Sequence, residues 1–126
     1  MKIFIVDDSK VIRKSLVCLL SEVRNTEIVG QADRAEEALA SIRSLKPDVV
    51  TLDIRMPGGS GMDIIKPIKE ALSKVIVIIL TNYPYPQYKE ECLVRGADYF
   101  LDKSTEFEKI PKILEQWQPI PATGGL

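Results

Sequence analysis

The chain has 126 residues, 45% hydrophobic and 28% charged, with a formal net charge of −1. These values are typical of one globular domain. The sequence has no block of basic residues, so nothing in it indicates nucleic-acid binding. The chain contains no histidine, which excludes imidazole bases, Ser-His and Cys-His nucleophile pairs and the usual zinc sites. Its chemistry must therefore depend on carboxylates, lysine, hydroxyl groups or a metal ion that binds oxygen.

The apolar runs do not indicate a membrane segment. Ile3–Val6 is apolar but ends at Asp7 and Asp8, which is typical of a first strand and not of a signal peptide. Val75–Leu80, the longest apolar run, is far too short to cross a bilayer. We therefore expect a cytoplasmic protein without a membrane partner.

Short apolar runs alternate with amphipathic stretches along the chain. Apolar runs without alternation predict strands buried on both faces, and apolar residues that recur every three or four positions predict helices. The predicted strands are Ile3–Val6, Glu27–Ala32, Val49–Leu52, Val75–Leu80 and Asp98–Leu101. The predicted helical stretches are 12–23, 35–45, 62–72, 87–94 and 110–117.

Capping and breaking residues refine these boundaries. Ser9 is a suitable N-cap for the first helix, and Gly96 is the expected C-cap of the fourth. Pro67 lies inside the third helical stretch, where a proline costs about 3 kcal/mol, so we expect a kink or a helix that starts close to it. Thr105 and Glu108 have the spacing of a capping box before the fifth helix.

Five strands that alternate with five helices through short connections predict a parallel sheet with right-handed crossovers. The expected fold is a three-layer (βα)5 α/β sandwich, flavodoxin-like, with sheet order 2-1-3-4-5. We assign residues 1–118 to this domain. Residues 119–126 contain two prolines and two glycines, and we expect them to be a flexible C-terminal tail or the start of a linker.

Polar side chains occur where four of the predicted strands end. Asp7 and Asp8 follow the first strand, and Asp53 follows the third. Thr81 follows the fourth strand, and Lys103 lies just beyond the fifth. These four strands are neighbours in the 2-1-3-4-5 order, and parallel strands end at one edge, so the five residues should converge. Three carboxylates and one lysine favour a divalent cation with oxygen ligands, which indicates Mg²⁺, with Mn²⁺ as a substitute.

Such a site suits phosphoryl transfer to a carboxylate. With the metal bound, Asp53 is ionised at pH 7 and can act as a nucleophile without a general base. The metal and Lys103 would neutralise charge on the phosphoryl oxygens, and the Thr81 hydroxyl would donate a hydrogen bond to one of them. The predicted product is an aspartyl phosphate on Asp53.

The residues at the strand ends, together with the turn Asp-Ile-Arg-Met-Pro-Gly-Gly-Ser-Gly that begins at Asp53, resemble the receiver domain of two-component response regulators. The resemblance covers the chain from about Lys2 to Trp117. It implies that Asp53 accepts a phosphoryl group from a phosphohistidine on a sensor histidine kinase or phosphotransfer protein. It also implies that Asp8, Asp53 and the backbone carbonyl of Arg55 bind Mg²⁺, with Asp7 acting mostly through water.

The resemblance further implies that Thr81 and Phe100, three residues before Lys103, switch together on phosphorylation. It places the output surface on helix 4, strand 5 and helix 5. We expect a monomer or a weak phosphorylation-dependent dimer. The domain is expected to catalyse only its own phosphorylation and dephosphorylation. Two residues depart from the family pattern. Ser104 follows the lysine where proline is usual, so a trans bond is expected, and Asn82 stands where alanine is common.

Arg55 and Tyr83 lie two residues after Asp53 and Thr81, at positions that influence hydrolysis of the acyl phosphate in the family that the chain resembles. Because both side chains are bulky, we hypothesise that they shield the phosphate from water and lengthen its life.

Three other functions are less compatible with these residues. A phosphatase with an aspartate nucleophile typically has a second aspartate where this chain has Arg55. A flavin-binding module needs a loop rich in Ser, Thr or Gly after the first strand, where Asp7 and Asp8 would repel a phosphate. A degenerate receiver that acts only as an interaction module is disfavoured by the intact set of site residues. The downstream target, or a fused output domain, is not indicated by the sequence.

Overall fold

A computed structural model describes residues 1–56 and 59–118, so the predicted tail at 119–126 and two residues of the turn, 57 and 58, lie outside the described residues. The strands in this part of the chain are β1 (Lys2–Val6), β2 (Glu27–Ala32), β3 (Val49–Leu52), β4 (Arg55–Met56), β5 (Gly59–Ser60), β6 (Ile76–Thr81) and β7 (Tyr99–Asp102). The helices are α1 (Lys10–Ser21), α2 (Ala35–Leu45), α3 (Met62–Ala71), α4 (Pro86–Val94) and α5 (Lys109–Gln116). None of these helices has the length and apolar character that a membrane span requires.

The central sheet is parallel and has the predicted order. Its strands lie in the order β2-β1-β3-β6-β7, so β6 and β7 are the fourth and fifth strands predicted from the sequence. β4 and β5 form a separate antiparallel pair in the turn after β3, a pairing that the sequence pattern does not predict. Because the central strands are parallel, their carboxyl ends lie at one edge of the sheet.

Helices cover both faces of this sheet. In β1, Phe4 and Val6 face the layer formed by α2, α3 and α4, whereas Ile3 and Ile5 face α1 and α5. The alternation follows from the two-residue period of a strand. β3 and β6 are buried along their whole length, which explains why their sequences are apolar without alternation.

The start of α1 agrees with its predicted cap, whereas the start of α3 does not agree with the prediction from Pro67. The Ser9 side chain accepts a hydrogen bond from the amide of Ile12 at 3.3 Å. α3 begins at Met62 and contains Pro67 in its interior, so of the two alternatives the start near the proline is wrong, and the kink at Pro67 stays a prediction. Burial of Ile64, Ile65 and Ile68 against the sheet outweighs the loss of one helical hydrogen bond. α4 ends at a C-cap on Arg95, one residue before the expected Gly96, which follows with φ +115°.

The predicted capping box before α5 was wrong. α5 begins at Lys109 with Glu108 at the N-cap, because the preceding residues form turns and not a helix. In these turns the amide of Glu106 donates to the carbonyl of Asp102 at 2.8 Å. Trp117, the last residue of the predicted helical stretch 110–117, lies just beyond the helix and is 50% exposed. Its indole N–H donates to the Tyr99 hydroxyl at 2.8 Å.

Thr51 carries a buried hydroxyl in the middle of β3. The residue is 1% exposed and lies between Ile5 and Ile78 of the adjacent strands. Among the described residues its hydroxyl has no hydrogen-bond partner. We expect Thr51→Val to raise the free energy of unfolding by about 1 kcal/mol, because an unsatisfied buried polar group is removed without a change of shape.

Urea unfolding of the Thr51→Val variant tests this expectation. Thr26→Val is the matched control, because the Thr26 hydroxyl donates to the carbonyl of Leu20 at 2.9 Å and its loss should destabilise the protein. A loss of stability in both variants would contradict the prediction and would indicate a buried water bonded to Thr51.

Candidate functional site

The residues predicted at the strand ends come together at the carboxyl edge of the sheet. The ammonium nitrogen of Lys103 lies 2.7 Å from Oδ2 of Asp7 and 3.2 Å from Oδ2 of Asp53. Asp7, Asp8 and Asp53 each place a carboxylate oxygen within 4.8 Å of the others. Asp7, Asp53 and Lys103 are buried, whereas Asp8 is exposed at the edge of the pocket.

Asp7 has partners for both carboxylate oxygens. Its Oδ1 accepts the amide of Ser9 at 2.9 Å, and its Oδ2 faces Lys103. Its carbonyl accepts a hydrogen bond from the guanidinium of Arg13 at 2.7 Å. This use of Arg13 was missed at the sequence level, because a basic residue on the polar side of a helix is usually solvated. The expectation that Asp7 contacts a metal mostly through water stays a prediction.

Asp53 is 5% exposed and is held from both sides. Its amide donates to the carbonyl of Val6 at 3.0 Å, which ties the end of β3 to β1. Its Oδ1 accepts the amide of Arg55 at 3.3 Å, while Oδ2 contacts Lys103. The carboxylate is therefore fixed in place, and its side chain lines an open pocket of about 590 Å³.

The charges at this edge are not balanced. Burial raises the pKa of Asp53 above its ordinary value of 3.8, the charge of Lys103 lowers it and that of Asp7 raises it, with a net upward shift. Burial opposes ionisation of Lys103, but its hydrogen bond to Asp7 and the charges of both aspartates outweigh this and raise its pKa. Lys103 is therefore charged, and the Asp53 charge is not fully compensated. These oxygen donors and their charge fit a hard divalent cation.

The turn after Asp53 is built around Gly61. The amide of Gly61 and the hydroxyl of Ser60 both donate to the carbonyl of Ile54, at 3.0 and 2.9 Å. A Cβ atom at position 61 would collide with the carbonyl oxygen of Asp53. Gly61 has an ordinary helical φ of −59°, so its backbone conformation does not demand glycine, and the requirement is one of space.

Thr81 and Phe100, the predicted switch pair, lie on neighbouring strands. Thr81 is fully buried, and its hydroxyl accepts the amide of Tyr83 at 2.9 Å, which leaves its own proton able to be donated. Its carbonyl accepts the amide of Lys103 at 2.8 Å. Phe100 is half-buried and packs against the core beneath α2, α3 and α4. Thr81 lies at the end of β6 beside Lys103, whereas Phe100 is opposite Ile79 in the adjacent strand, and the coupled movement of Thr81 and Phe100 stays a prediction.

Arg55 and Tyr83 line the mouth of the pocket. The guanidinium carbon of Arg55 lies 4.0 Å from the centre of the Tyr83 ring, a cation–π contact. Arg55 also donates to the hydroxyl of Tyr88 at 3.2 Å. The centre of the Tyr85 ring lies 6.5 Å from that of Tyr83 and 5.6 Å from that of Tyr88.

Comparison with known proteins agrees with this arrangement. The family model of the response regulator receiver domain matches residues 3–115. The DNA-binding transcriptional activator DevR/DosR of Mycobacterium tuberculosis is 32% identical over 102 residues, which are 81% of this chain and 47% of that protein. The chain spans about half the length of the curated relatives it matches.

Solved structures show the same fold. The signal receiver domain of a DNA-binding response regulator (merR) from Colwellia psychrerythraea 34H is 28% identical, with a TM-score of 0.84 and coverage of 92% of this chain and 96% of that one. A chain of the CheX–CheY–BeF3–Mg²⁺ complex from Borrelia burgdorferi is 28% identical, with a TM-score of 0.78 and coverage of 90% and 89%. With the parallel sheet and the family match over nearly all of its described residues, the chain belongs to the response regulator receiver domains, the phosphoacceptor modules of two-component signalling.

Proposed function

We propose that Asp53 is the phosphoacceptor of this receiver domain. The observation that carries the proposal is the position of its buried carboxylate, which contacts Lys103 on one side and lines the pocket on the other. The phosphoryl donor is a phosphohistidine on a sensor histidine kinase or a phosphotransfer protein. Asp8, Asp53 and the backbone carbonyl of Arg55 would hold Mg²⁺, or Mn²⁺ as a substitute, with Asp7 contributing through water.

The residues of the site divide the chemistry between them. Asp53 is the nucleophile: its oxygen forms the new bond to phosphorus as the bond from phosphorus to the imidazole nitrogen of the donor breaks, and the donor keeps the bonding electrons. The bound cation supplies positive charge that neutralises the phosphoryl oxygens. Lys103 supplies a second positive charge beside Asp53, and the Thr81 hydroxyl donates a hydrogen bond to a phosphoryl oxygen. No general base is needed, because the reacting carboxylate is already deprotonated.

Intact-mass analysis after incubation with phosphoramidate and Mg²⁺ tests this role of Asp53. The wild type should gain one phosphoryl group, and Asp53→Ala should gain none. Asp33→Ala is a matched control, because Asp33 is an exposed carboxylate at the carboxyl end of β2, outside the cluster. Equal labelling of the wild type and Asp53→Ala would contradict the proposal.

The domain catalyses only its own phosphorylation and dephosphorylation. Where an aspartate phosphatase has its second acid, this chain presents Arg55, whose guanidinium is engaged with Tyr83 and Tyr88. A guanidinium stays protonated and cannot serve as a general acid or base at pH 7. Multiple turnover of an aryl phosphate would contradict this part of the proposal.

The signal leaves the domain through the surface of α4, β7 and α5, after Thr81 and Phe100 switch together. The recipient is a target protein or a fused output domain, since the curated relatives are about twice as long as this chain. The domain itself does not bind nucleic acid, is cytoplasmic, and acts as a monomer or as a weak phosphorylation-dependent dimer. Sedimentation velocity with and without phosphoramidate measures the oligomeric state.

Arg55 and Tyr83 lengthen the life of the phosphorylated form. Their stacked side chains form part of the pocket wall, where they would restrict the approach of water to the phosphoryl group. We expect Arg55→Ala and Tyr83→Ala each to speed dephosphorylation about fivefold, because the remaining side chain loses a cation–π contact of about 1 kcal/mol and is no longer held over the phosphoryl group.

The rate is measured as the loss of phosphoryl mass after removal of the donor. Tyr85→Ala serves as the control, because Tyr85 is 50% exposed and is not part of the pocket wall. No acceleration in either Arg55→Ala or Tyr83→Ala would show that the stacked pair does not shield the phosphate.

A further inference from the structure

Hydrogen bonds fix the loop on both sides of Lys103. Oδ1 of Asp102 accepts the amide of Ser104 at 2.8 Å and its hydroxyl at 2.7 Å. The amide of Asp102 donates to Oε1 of Glu106 at 3.0 Å, and the amide of Glu106 donates to the carbonyl of Asp102 at 2.8 Å. The amide of Lys103 donates to the carbonyl of Thr81 at 2.8 Å. The residues before and after Lys103 therefore belong to closed hydrogen-bonded rings.

The position of this backbone determines where the ammonium group lies. The Lys103 side chain has several rotatable bonds, yet its nitrogen must reach both Asp7 and Asp53 inside a buried site. Misplacement of a catalytic group by about 1 Å can cost a large factor in rate. A loop that moves would let the ammonium group leave the two aspartates, so the loop has to be held.

Ser104 achieves this restraint by hydrogen bonding. In the family that the chain resembles, proline is usual at this position, where its ring restricts the backbone. A proline has no amide hydrogen to donate to Asp102, whereas Ser104 donates both its amide and its hydroxyl. The departure from the family pattern is thus accompanied by a partner, Asp102, that accepts both bonds.

We propose that Asp102, Ser104 and Glu106 are positioning residues that hold Lys103 for phosphoryl transfer. They do not touch the reacting atoms and act through the backbone of Lys103. The inference rests on the proposed role of Asp53 as the phosphoacceptor. It predicts that loosening the loop lowers the rate of the chemical step and leaves metal binding unchanged, because Asp8, Asp53 and Arg55 are untouched.

Three measurements on the full chain test the proposal. They are the maximal rate of phosphorylation by phosphoramidate at saturating Mg²⁺, the Mg²⁺ affinity by calorimetry, and the hydrogen exchange of the Lys103 amide by NMR. Asp102→Ala removes the acceptor, and we expect about a tenfold lower rate and about tenfold faster amide exchange. Ser104→Ala keeps the hydrogen bond from the backbone amide of residue 104 to Asp102. We therefore expect only about a threefold lower rate of phosphorylation and about threefold faster exchange of the Lys103 amide.

Two further variants separate positioning from general stability. Ser104→Thr retains the hydroxyl and should restore both the rate and the exchange to within twofold of the wild type. Ser73→Ala, at an exposed serine in the turn between α3 and β6, should match the wild type in every measurement. Mg²⁺ affinity should stay within twofold of the wild type throughout.

The outcomes distinguish this inference from the proposed function. Wild-type rates in both Asp102→Ala and Ser104→Ala, while Asp53→Ala is unlabelled, would overturn the positioning role alone. A parallel fall of rate and Mg²⁺ affinity would also overturn it, because the loop would then support the whole site. If the wild type is not labelled, the proposed role of Asp53 is wrong. Unchanged hydrogen exchange at the Lys103 amide in Asp102→Ala and Ser104→Ala would show that these residues do not restrain the loop. If Asp102→Ala does not fold, Ser104→Ala decides the question.

Discussion

Gly61→Ala is expected to lower the free energy of unfolding by about 3 kcal/mol, the upper end of the cost of overpacking. The added methyl group would occupy the space of the Asp53 carbonyl oxygen, so the turn and the end of β3 cannot both keep their positions. Because Asp53 must shift with its own carbonyl, we also expect phosphorylation by phosphoramidate to be lost. Urea unfolding and intact mass measure the two effects.

Gly59→Ala is the control for this substitution. Gly59 lies in the same turn with φ +155°, where a side chain strains the backbone, but a Cβ atom built there meets no atom within 4 Å. It should cost less than Gly61→Ala and should leave phosphorylation intact. If Gly61→Ala keeps both its stability and its labelling, the turn has enough slack to absorb a methyl group, and the packing argument is wrong.

Asp53→Asn is expected to raise the free energy of unfolding by about 1 kcal/mol at pH 7 without metal, because it removes a buried charge that its surroundings do not fully compensate. The pKa of Asp53 reflects the same imbalance. Burial raises this pKa, the charge of Lys103 lowers it and the charge of Asp7 raises it, with a net upward shift. An amide retains the oxygen that accepts the Arg55 amide. The ammonium of Lys103 still has Asp7 as a partner.

The pH dependence of this effect has a definite sign. The folded protein holds the Asp53 proton more tightly than the unfolded chain, whose ordinary pKa is 3.8. The wild type is therefore penalised fully above the raised folded-state pKa, and the penalty disappears as pH falls to 3.8 and below. The advantage of Asp53→Asn should be constant near neutrality and should shrink as the solution is acidified. Unfolding curves for both proteins in EDTA from pH 7.5 to pH 4 measure the difference between their free energies of unfolding. The other carboxylates titrate in both proteins, so their contributions cancel in this difference.

Addition of Mg²⁺ reverses the order. A ligand that binds the native state stabilises it, so the wild type should gain stability with increasing Mg²⁺ and Asp53→Asn should gain less. Asp33→Asn, at the exposed carboxylate after β2, should follow the wild type with and without metal. An Asp53→Asn protein less stable than the wild type in EDTA at pH 7 would mean that Lys103 fully compensates the charge.

The sheet and its polar edge were predictable because their signals are local. Each buried strand is an apolar run, and the residue that stops it, such as Asp53 after Val49–Leu52, shows where the edge lies. The order of the parallel strands then predicts which distant residues lie together, and this prediction requires no information about individual contacts. The convergence of Asp7, Asp53 and Lys103 follows from these two facts.

The features that escaped prediction depend on contacts between distant residues. The helix through Pro67 persists because three isoleucines of α3 are buried against the sheet, a gain that local propensity does not include. The capping box at Thr105 does not form because Glu106 is bonded to Asp102, in β7. Arg13 binds the carbonyl of Asp7, which only the folded loop brings within reach.

The exposed position of Trp117 gives the protein a natural fluorescent reporter. It is the only tryptophan in the chain, and its indole is hydrogen-bonded to Tyr99, the residue beside Phe100 in β7. Any rearrangement of that strand alters the polarity and hydrogen bonding around the indole, to which its emission is sensitive. Addition of phosphoramidate and Mg²⁺ should therefore shift the emission of the wild type and leave that of Asp53→Ala unchanged, so the native chain can report its own switching without a label.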